Sequence, residues 1–355
     1  MSKEALIVGA SGIIGGAVAR QLLADGWTVH GLARTPPRGV PGINPVAADL
    51  LDPAGLSRAL DGLRPERVFI TTWARRSTEA ENIVVNGAMV RNVFEVLSSA
   101  GSVSHAALVT GLKHYLGPFD AYVSGGTPPD TPLREEQPRL DVPNFYYAQE
   151  DEVYAAAAKS GFSWSVHRPH TVIGLAVGNA MNMGSTLAVY GAICRATGRR
   201  FKFPGSEAQW EGLSDVTDAR LLAKHLTWAA DTEAAHGEAF NVVNGDVFRW
   251  KWLWPRLAAR LGVQPAPFSG EIAPLEAEMA GDAPVWAEIA GANGLVESRL
   301  ERLASPWHTD LDLSRPIEVV TDMANSRRLG FSEYQPTEGS FFELFDTLRA
   351  ERLIP

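Results

Sequence analysis

The stretch NFYYAQEDEVYAAAAKSG, residues 144 to 161, sets two tyrosines, Tyr146 and Tyr147, at the head of an alanine-rich helical run. A phenol there can donate to a carbonyl oxygen. In a nicotinamide-dependent reductase the pattern Tyr-x-x-x-Lys adds a lysine one turn later on the same helix face. Here the positions four residues after the tyrosines hold Glu150 and Asp151. If the chain is such an enzyme, the phenol is present on this helix and its cation has to come from another element.

A second pattern supplies the other half of such chemistry. In ALIVGASGIIGGAVARQLLADG, Gly9, Gly12 and Gly15 fall between an apolar run and a helical one. Gly9 permits the tight turn, Gly12 lets backbone approach a pyrophosphate, and Gly15 allows close helix–strand packing. The helix start offers free N–H groups to phosphate. With Ser11, Ile13 and Ile14 these residues form the expected dinucleotide cradle, and its place after the first strand distinguishes it from an ordinary glycine-rich turn.

The second strand, ending TVHGLARTPP, has Arg34 where an NAD site carries an acid for the ribose 2′-hydroxyl. A guanidinium suits a 2′-phosphate instead, so NADPH/NADP+ is the expected cofactor, the plain alternative being a solvated surface arginine. Asp49, in VAADLLDP, is placed either to meet the adenine amino group or to cap a helix.

Candidates for the missing cation lie at strand ends. Ligands of an open parallel sheet bind beyond the carboxyl ends of the strands. Two segments end there, FITTWARRST and ALVTGLKHYLGPFDAY, and Lys113 stands in the second, two residues after Gly111. An ammonium near a phenol lowers the phenol's pKa and strengthens its hydrogen bond to a developing oxyanion. A solvated loop lysine is the plain alternative.

These residues need a scaffold, and the chain supplies one. Apolar runs alternate with helical stretches through the first two-thirds, the pattern of a parallel α/β sheet. Strands are predicted at Ala5–Val8, Thr28–Leu32, Ile43–Ala47, Val68–Thr71, Ala106–Thr110, Ser163–Arg168 and Ala239–Val243, with helices at 14–24, 54–61, 80–100, 145–160, 185–197 and 215–230. From about residue 248 the rhythm changes to helices separated by proline- and glycine-containing breaks. The expected division is a dinucleotide-binding domain of 1–174 and 213–247, and a smaller, mainly helical substrate-binding domain of 175–212 and 248–355. Acids outnumber bases by 41 to 32, which argues against nucleic acid and anionic membranes as partners. A single cysteine, Cys194, and an N-terminus without a signal-peptide pattern fit a cytoplasmic protein.

The motifs GASGIIG, TTWARRSTEAEN, TGLKHYLGPF, PRLDVPNFYYAQED, WSVHRP and AFNVVNGDVFRWKWLW together resemble the progesterone 5β-reductase/iridoid synthase-like branch of the extended short-chain dehydrogenases/reductases. The resemblance runs over nearly the whole chain, and TGxKHYxGPF paired with NFYY is its most specific part. It implies a Rossmann-type doubly wound parallel sheet and an NADPH-dependent 1,4-enone reductase. The family's displaced lysine falls on Lys113, and its catalytic tyrosine on Tyr146 rather than Tyr147. Expected cofactor contacts extend to Leu50, Thr71, Thr72, Trp73, Thr110 and Tyr146. Substrate contacts fall on Trp73, Phe119, Tyr122 and Asn182, for each of which core packing is an equally good account. The implied partner is a small apolar enone, with a homodimer as the open assembly.

Other features carry less. Trp250, Trp252 and Trp254 read as packing between domains, too closely spaced to share one helix face. His167 and His170 lack a third ligand in sequence, so core or cofactor-edge histidines outweigh zinc. His170 stands where the family often has a small glycine, and 121–137 is glycine- and proline-rich as a lid would be. Two other activities compete: a carbonyl reductase, alcohol dehydrogenase or sugar-nucleotide enzyme of the extended branch, and a non-catalytic NADP-sensing protein.

Overall fold

The computed structural model describes residues 3–35, 39–118 and 129–355. The chain forms two compact units. The first comprises Met1–His170, Arg220–Val242 and Asp322–Glu333, and the second Thr171–Ala219, Val243–Thr321 and Tyr334–Pro355. Residues 171–174, 213–219 and 243–247, expected in the dinucleotide-binding part, thus group with the second unit, and 322–333 with the first.

The first unit is built on β1 (Glu4–Val8), β2 (Thr28–Ala33), β3 (Asn44–Ala47), β4 (Arg67–Ile70), β5 (His105–Val109) and β6 (Ser163–Pro169). Two-residue strands of the second unit, β7 (Val172–Ile173) and β8 (Thr217–Asp218), precede the last strand of the first, β9 (Glu238–Val242). Among the described residues the first unit's sheet has seven strands in the order β3-β2-β1-β4-β5-β6-β9, all neighbours parallel. Its central strands are apolar because both faces are covered: all five residues of β5 are buried, whereas three of the four residues of the edge strand β3 are exposed. The order reverses between β1 and β4, which is where an open sheet of this kind leaves a crevice for ligand.

The helices of this unit start at chemically defined points. Among the described residues those before β6 are α1 (Ile13–Ala24), α2 (Pro53–Ala59), α3 (Glu79–Ser98), the single turn α4 (Lys113–Leu116) and α5 (Phe145–Ser160). Asp52 caps α2 by accepting from Gly55 N–H, with Pro53 in the first turn. Thr78 and Glu81 form a reciprocal capping box on α3. Asn144 caps α5, which ends at Gly161 in the left-handed conformation, φ 79°.

A string of buried hydrogen bonds runs through the unit's core. His105 Nδ1 meets Ser163 Oγ at 2.9 Å, and His105 Nε2 meets Ser165 Oγ at 2.9 Å. Ser165 Oγ meets His167 Nε2 at 2.8 Å, and the Nδ1 atoms of His167 and His225 are 3.0 Å apart. His225 Nε2 then meets Ser326 Oγ at 2.8 Å. Burial pushes His105 down to about 2, His225 to about 3 and His167 well below the ordinary imidazole range, so all three are neutral. This is the role the structure gives His167.

In the second unit β7 and β8 pair in parallel, and α6 (Met183–Thr197) is buried along most of its length. The helix α7 (Ala219–Asp231), with which the chain re-enters the first unit at Arg220, starts four residues later than the predicted helix at 215, because Thr217 and Asp218 are taken by β8. The tryptophan reading needs correction. On α8 (Trp250–Leu261), Trp250 and Trp254 are four residues apart, share one face, and are buried in the second unit's own core rather than between domains. Trp254 stacks on Phe201 at 4.2 Å, while Trp252 points away and is 46% exposed. Among the described residues no helix is long and apolar enough to cross a membrane.

Candidate functional site

The turn after β1 leaves no room for side chains at its two ends. Gly9 has φ +95°, and its N–H and that of Ala10 both reach the carbonyl of Leu32 at the end of β2. A Cβ at Gly9 would lie 2.7 Å from Thr72 Cβ, and one at Gly15 would lie 2.3 Å from the Gly9 carbonyl oxygen. Neither place admits a side chain. Gly12 precedes α1 in extended conformation, no side chain caps the helix, and its first turn carries no acid. The leading N–H groups of α1 are thus left without an acceptor side chain, as a pyrophosphate requires. The residues present fit a dinucleotide.

Around this turn Ser11 is exposed, Ile13 buried and Ile14 half-buried. Arg34, just beyond β2, is exposed. Asp49 is exposed and accepts from Leu51 N–H at 2.9 Å, while Leu50 beside it is buried. The helix-capping role belongs to Asp52, not to Asp49. Across the strand reversal, Thr71 N–H and hydroxyl both donate to Val8 O at 2.9 Å. Thr72 and Trp73 follow, half-buried, and the chain after them is held by α3: Asn86 bonds both backbone groups of Ala74, and Asn82 accepts from Arg76 N–H. Thr110, past β5, donates its N–H to His167 O at 2.8 Å.

Lys113 is not the solvated loop lysine of the plain reading. It opens α4 and is 8% exposed. Its ammonium lies 4.9 Å from the centroid of the Phe145 ring and 5.6 Å from that of Trp73, two rings that stack on each other at 4.9 Å. This is a cation–π cradle built from the end of β4 and the start of α5. Phe145 in turn packs against Tyr146, ring centroids 4.4 Å apart. Tyr146 is buried with its hydroxyl against Gly111, where a Cβ would stand 3.3 Å away. Asn144 ties the two elements together, donating to Lys113 O at 2.8 Å and accepting from Tyr146 N–H at 3.0 Å.

The neighbouring tyrosine is spent on structure. Tyr147 donates its hydroxyl to His114 O at 2.7 Å and accepts from Leu140 N–H at 3.0 Å, and burial raises its pKa. Glu150, in the place of the familiar lysine, is 1% exposed and holds Arg139 at 2.8 Å, Arg139 lying over the Tyr147 ring. Burial raises the pKa of Glu150 while Arg168 and Arg139 oppose the rise. That helix position is filled by an anchor for the 139–144 segment.

Three further expected residues fall outside the described residues or in the second unit. Phe119 and Tyr122 are outside the described residues, as is 121–128 of the expected lid. The described remainder of that segment is tied down: Leu133 O accepts from Asn241 Nδ2 and Asp322 N–H, and Glu135 accepts from the N–H groups of Asn241 and Asn325. Asn182 belongs to the second unit, where it caps α6 through Ser185 N–H and donates to Ala176 O. Asn82, Asn86 and Asn144 were missed as residues that build the site. An asparagine directly before the helical run at 145 was the signal available for the last of them.

Comparison with known proteins places the chain. A family model described as a PRISE-like Rossmann-fold domain matches residues 65–355. An (S)-8-oxocitronellyl enol synthase of Nepeta cataria is 39% identical, over 99% of this chain and 93% of its own length. A 3-oxo-Δ4,5-steroid 5β-reductase of Arabidopsis thaliana is 37% identical with the same coverage, 99% and 93%. Among solved structures, the Bordetella bronchiseptica enzyme WbmH in complex with NAD+ superposes with a TM-score of 0.67 at 16% identity, covering 98% of each chain. A UDP-glucose 4-epimerase of Thermotoga maritima gives 0.69 at 14% identity, covering 98% and 99%, a likeness of fold alone.

Proposed function

This chain belongs to the PRISE-like Rossmann-fold family, and we propose that it is a nicotinamide-dependent enone reductase in which Tyr146 and Lys113 stabilise the enolate. The observation that carries the reading is the buried ammonium of Lys113, cradled by Phe145 and Trp73 beside the helix start that bears Tyr146. The relatives' names describe the same kind of chemistry. One is named for an enol product, the other for a 3-oxo-Δ4,5 substrate, which is an enone.

A reduced nicotinamide, when bound, supplies the hydride that adds to the β-carbon. The chain's own part is to hold and polarise. Tyr146 donates its hydroxyl to the substrate carbonyl oxygen, on which negative charge grows as the β-carbon is reduced. Lys113 places a fixed positive charge near that oxygen. Burial leaves the charge poorly screened, and the aromatic cradle removes the need to reorient it during reaction. Solvent then protonates the α-carbon. The Gly9–Gly15 turn with Ser11, Ile13 and Ile14 would hold the pyrophosphate, Asp49 would meet the adenine amino group, and Leu50, Thr71, Thr72, Trp73 and Thr110 would complete the cofactor contacts. Arg34, with no acid beside it, favours NADPH over NADH. On the substrate side the reading keeps Trp73, Phe119, Tyr122 and Asn182, and a small apolar enone.

The direct test offers a cyclic enone and its saturated ketone with NADPH and identifies the products. Reduction of the C=C bond, with the ketone left untouched, is the expected result. Conversion of the ketone to its alcohol at a comparable rate sinks the proposal.

A further inference from the structure

We infer that Asn144 is the positioning residue that fixes the separation of Lys113 and Tyr146, an inference that rests on the catalytic pairing proposed above. One side-chain amide reaches both. Its Nδ2 donates to the carbonyl of Lys113 at 2.8 Å, and its Oδ1 accepts from the N–H of Tyr146 at 3.0 Å. The residue is 3% exposed, so water does not compete for either bond.

Capping alone does not account for an asparagine here. A helix start needs only an acceptor, which serine, threonine or aspartate supplies equally well. The donor half of this amide is spent on α4, the turn that carries Lys113. Other contacts moor the same helix start: Glu79 on α3 accepts from Phe145 N–H at 2.7 Å, and Tyr147 donates to His114 O at 2.7 Å. Those contacts secure the helix to its neighbours, whereas Asn144 joins the two catalytic residues themselves. The familiar arrangement needs no such device, because a tyrosine and lysine on one helix are spaced by the helix itself. Once the lysine moves to another element, something must restore the spacing, and a rigid amide with both ends occupied does so. A misplacement of about 1 Å in such a constellation costs roughly 10²-fold in rate.

Asn144→Asp keeps the cap acceptor and replaces the donor with an oxygen facing the Lys113 carbonyl. Asn144→Ser keeps a cap and cannot span both partners. Either variant should fold and bind NADPH within about twofold of the parent while kcat falls roughly 10- to 100-fold. In a Lys113→Met background the same change should cost less than about twofold, because its effect runs through the lysine. Parental kcat in both variants overturns the inference, as does an equal loss with and without Lys113. Failure of both variants to fold makes Asn144 a structural cap and overturns it too; if only one folds, that one decides. The pairing itself is judged separately. Full turnover in Lys113→Met removes the pairing and the inference with it, whereas a slow Lys113→Met beside a fast Asn144→Asp removes the inference alone.

Discussion

The dinucleotide turn and the tyrosine–lysine cluster both sit at the carboxyl ends of strands of one sheet, and they are built in opposite ways. The turn is contiguous, from Gly9 to Gly15, and works through missing side chains: the Thr72 side chain stands where a Cβ of residue 9 would go, and backbone where one of residue 15 would. The cluster draws Trp73 from the end of β4, Lys113 from α4 and Tyr146 from α5, and works through side chains that hold one another. A contiguous device has its geometry set by the chain's own covalent path. An assembled one depends on contacts such as Asn144 and the aromatic cradle. Damage to the first should therefore appear in folding and cofactor binding, and damage to the second in turnover.

The largest effect should come from the cluster. Tyr146→Phe and Lys113→Met should each lower kcat by about 10²–10³, the usual loss for an oxyanion donor, with NADPH binding retained. The double variant should lose less than the product of the two. Glu150→Lys should not rescue Lys113→Met, because it removes the carboxylate that holds Arg139. Steady-state kinetics on an enone decide this, and a nearly normal Tyr146→Phe beside an inactive Tyr147→Phe would reverse the choice of tyrosine.

Next in size should be Gly15→Ala. The carbonyl of Gly9 cannot move aside as a side chain would, so overpacking should cost about 1–3 kcal/mol and lower the melting temperature. Dinucleotide binding should weaken with it, while kcat at saturating cofactor changes least. Melting curves and cofactor titrations that match the parent would remove the distinction between the two regions.

The smallest effect should be at Arg34, exposed at the end of β2. Arg34→Asp should weaken NADPH roughly tenfold and NADH far less, since only the 2′-phosphate loses a partner. Equal Michaelis constants for the two cofactors in the parent would refute the assignment.

The same contrast explains what could be read from the sequence. All seven strands of the large sheet were legible, each boundary falling within two residues, because buried parallel strands are short apolar runs set off by helices. The Gly9–Gly15 turn was legible for the same local reason. The β7–β8 pair was not, since a two-residue strand has no period to detect, and a helix drawn through it began too early. Lys113 could be placed at a strand end, but its burial could not be foreseen. That burial comes from Phe145, distant in sequence, and from the Trp73 ring stacked on it. The shared face of the tryptophans was hidden by their spacing of two in sequence, since only 250 and 254, four residues apart, lie on one side of the helix.

Proton counting along the serine–histidine string fixes the tautomer of every ring in it. Ser163 gives its hydroxyl proton to the carbonyl of Ser104, so it accepts from His105 Nδ1. His105 Nε2 is then bare and takes the proton of Ser165, which in turn accepts from His167 Nε2. His167 Nδ1, left bare, receives from His225 Nδ1, and His225 Nε2 receives from Ser326. Each neutral ring carries one proton, and no bond in the row lacks a donor. The three imidazoles therefore cannot change tautomer singly. A carbonyl between β5 and its preceding loop orients a hydroxyl in the 322–333 segment, and the row behaves as one directed object with a head at Ser326 and a tail at Ser104.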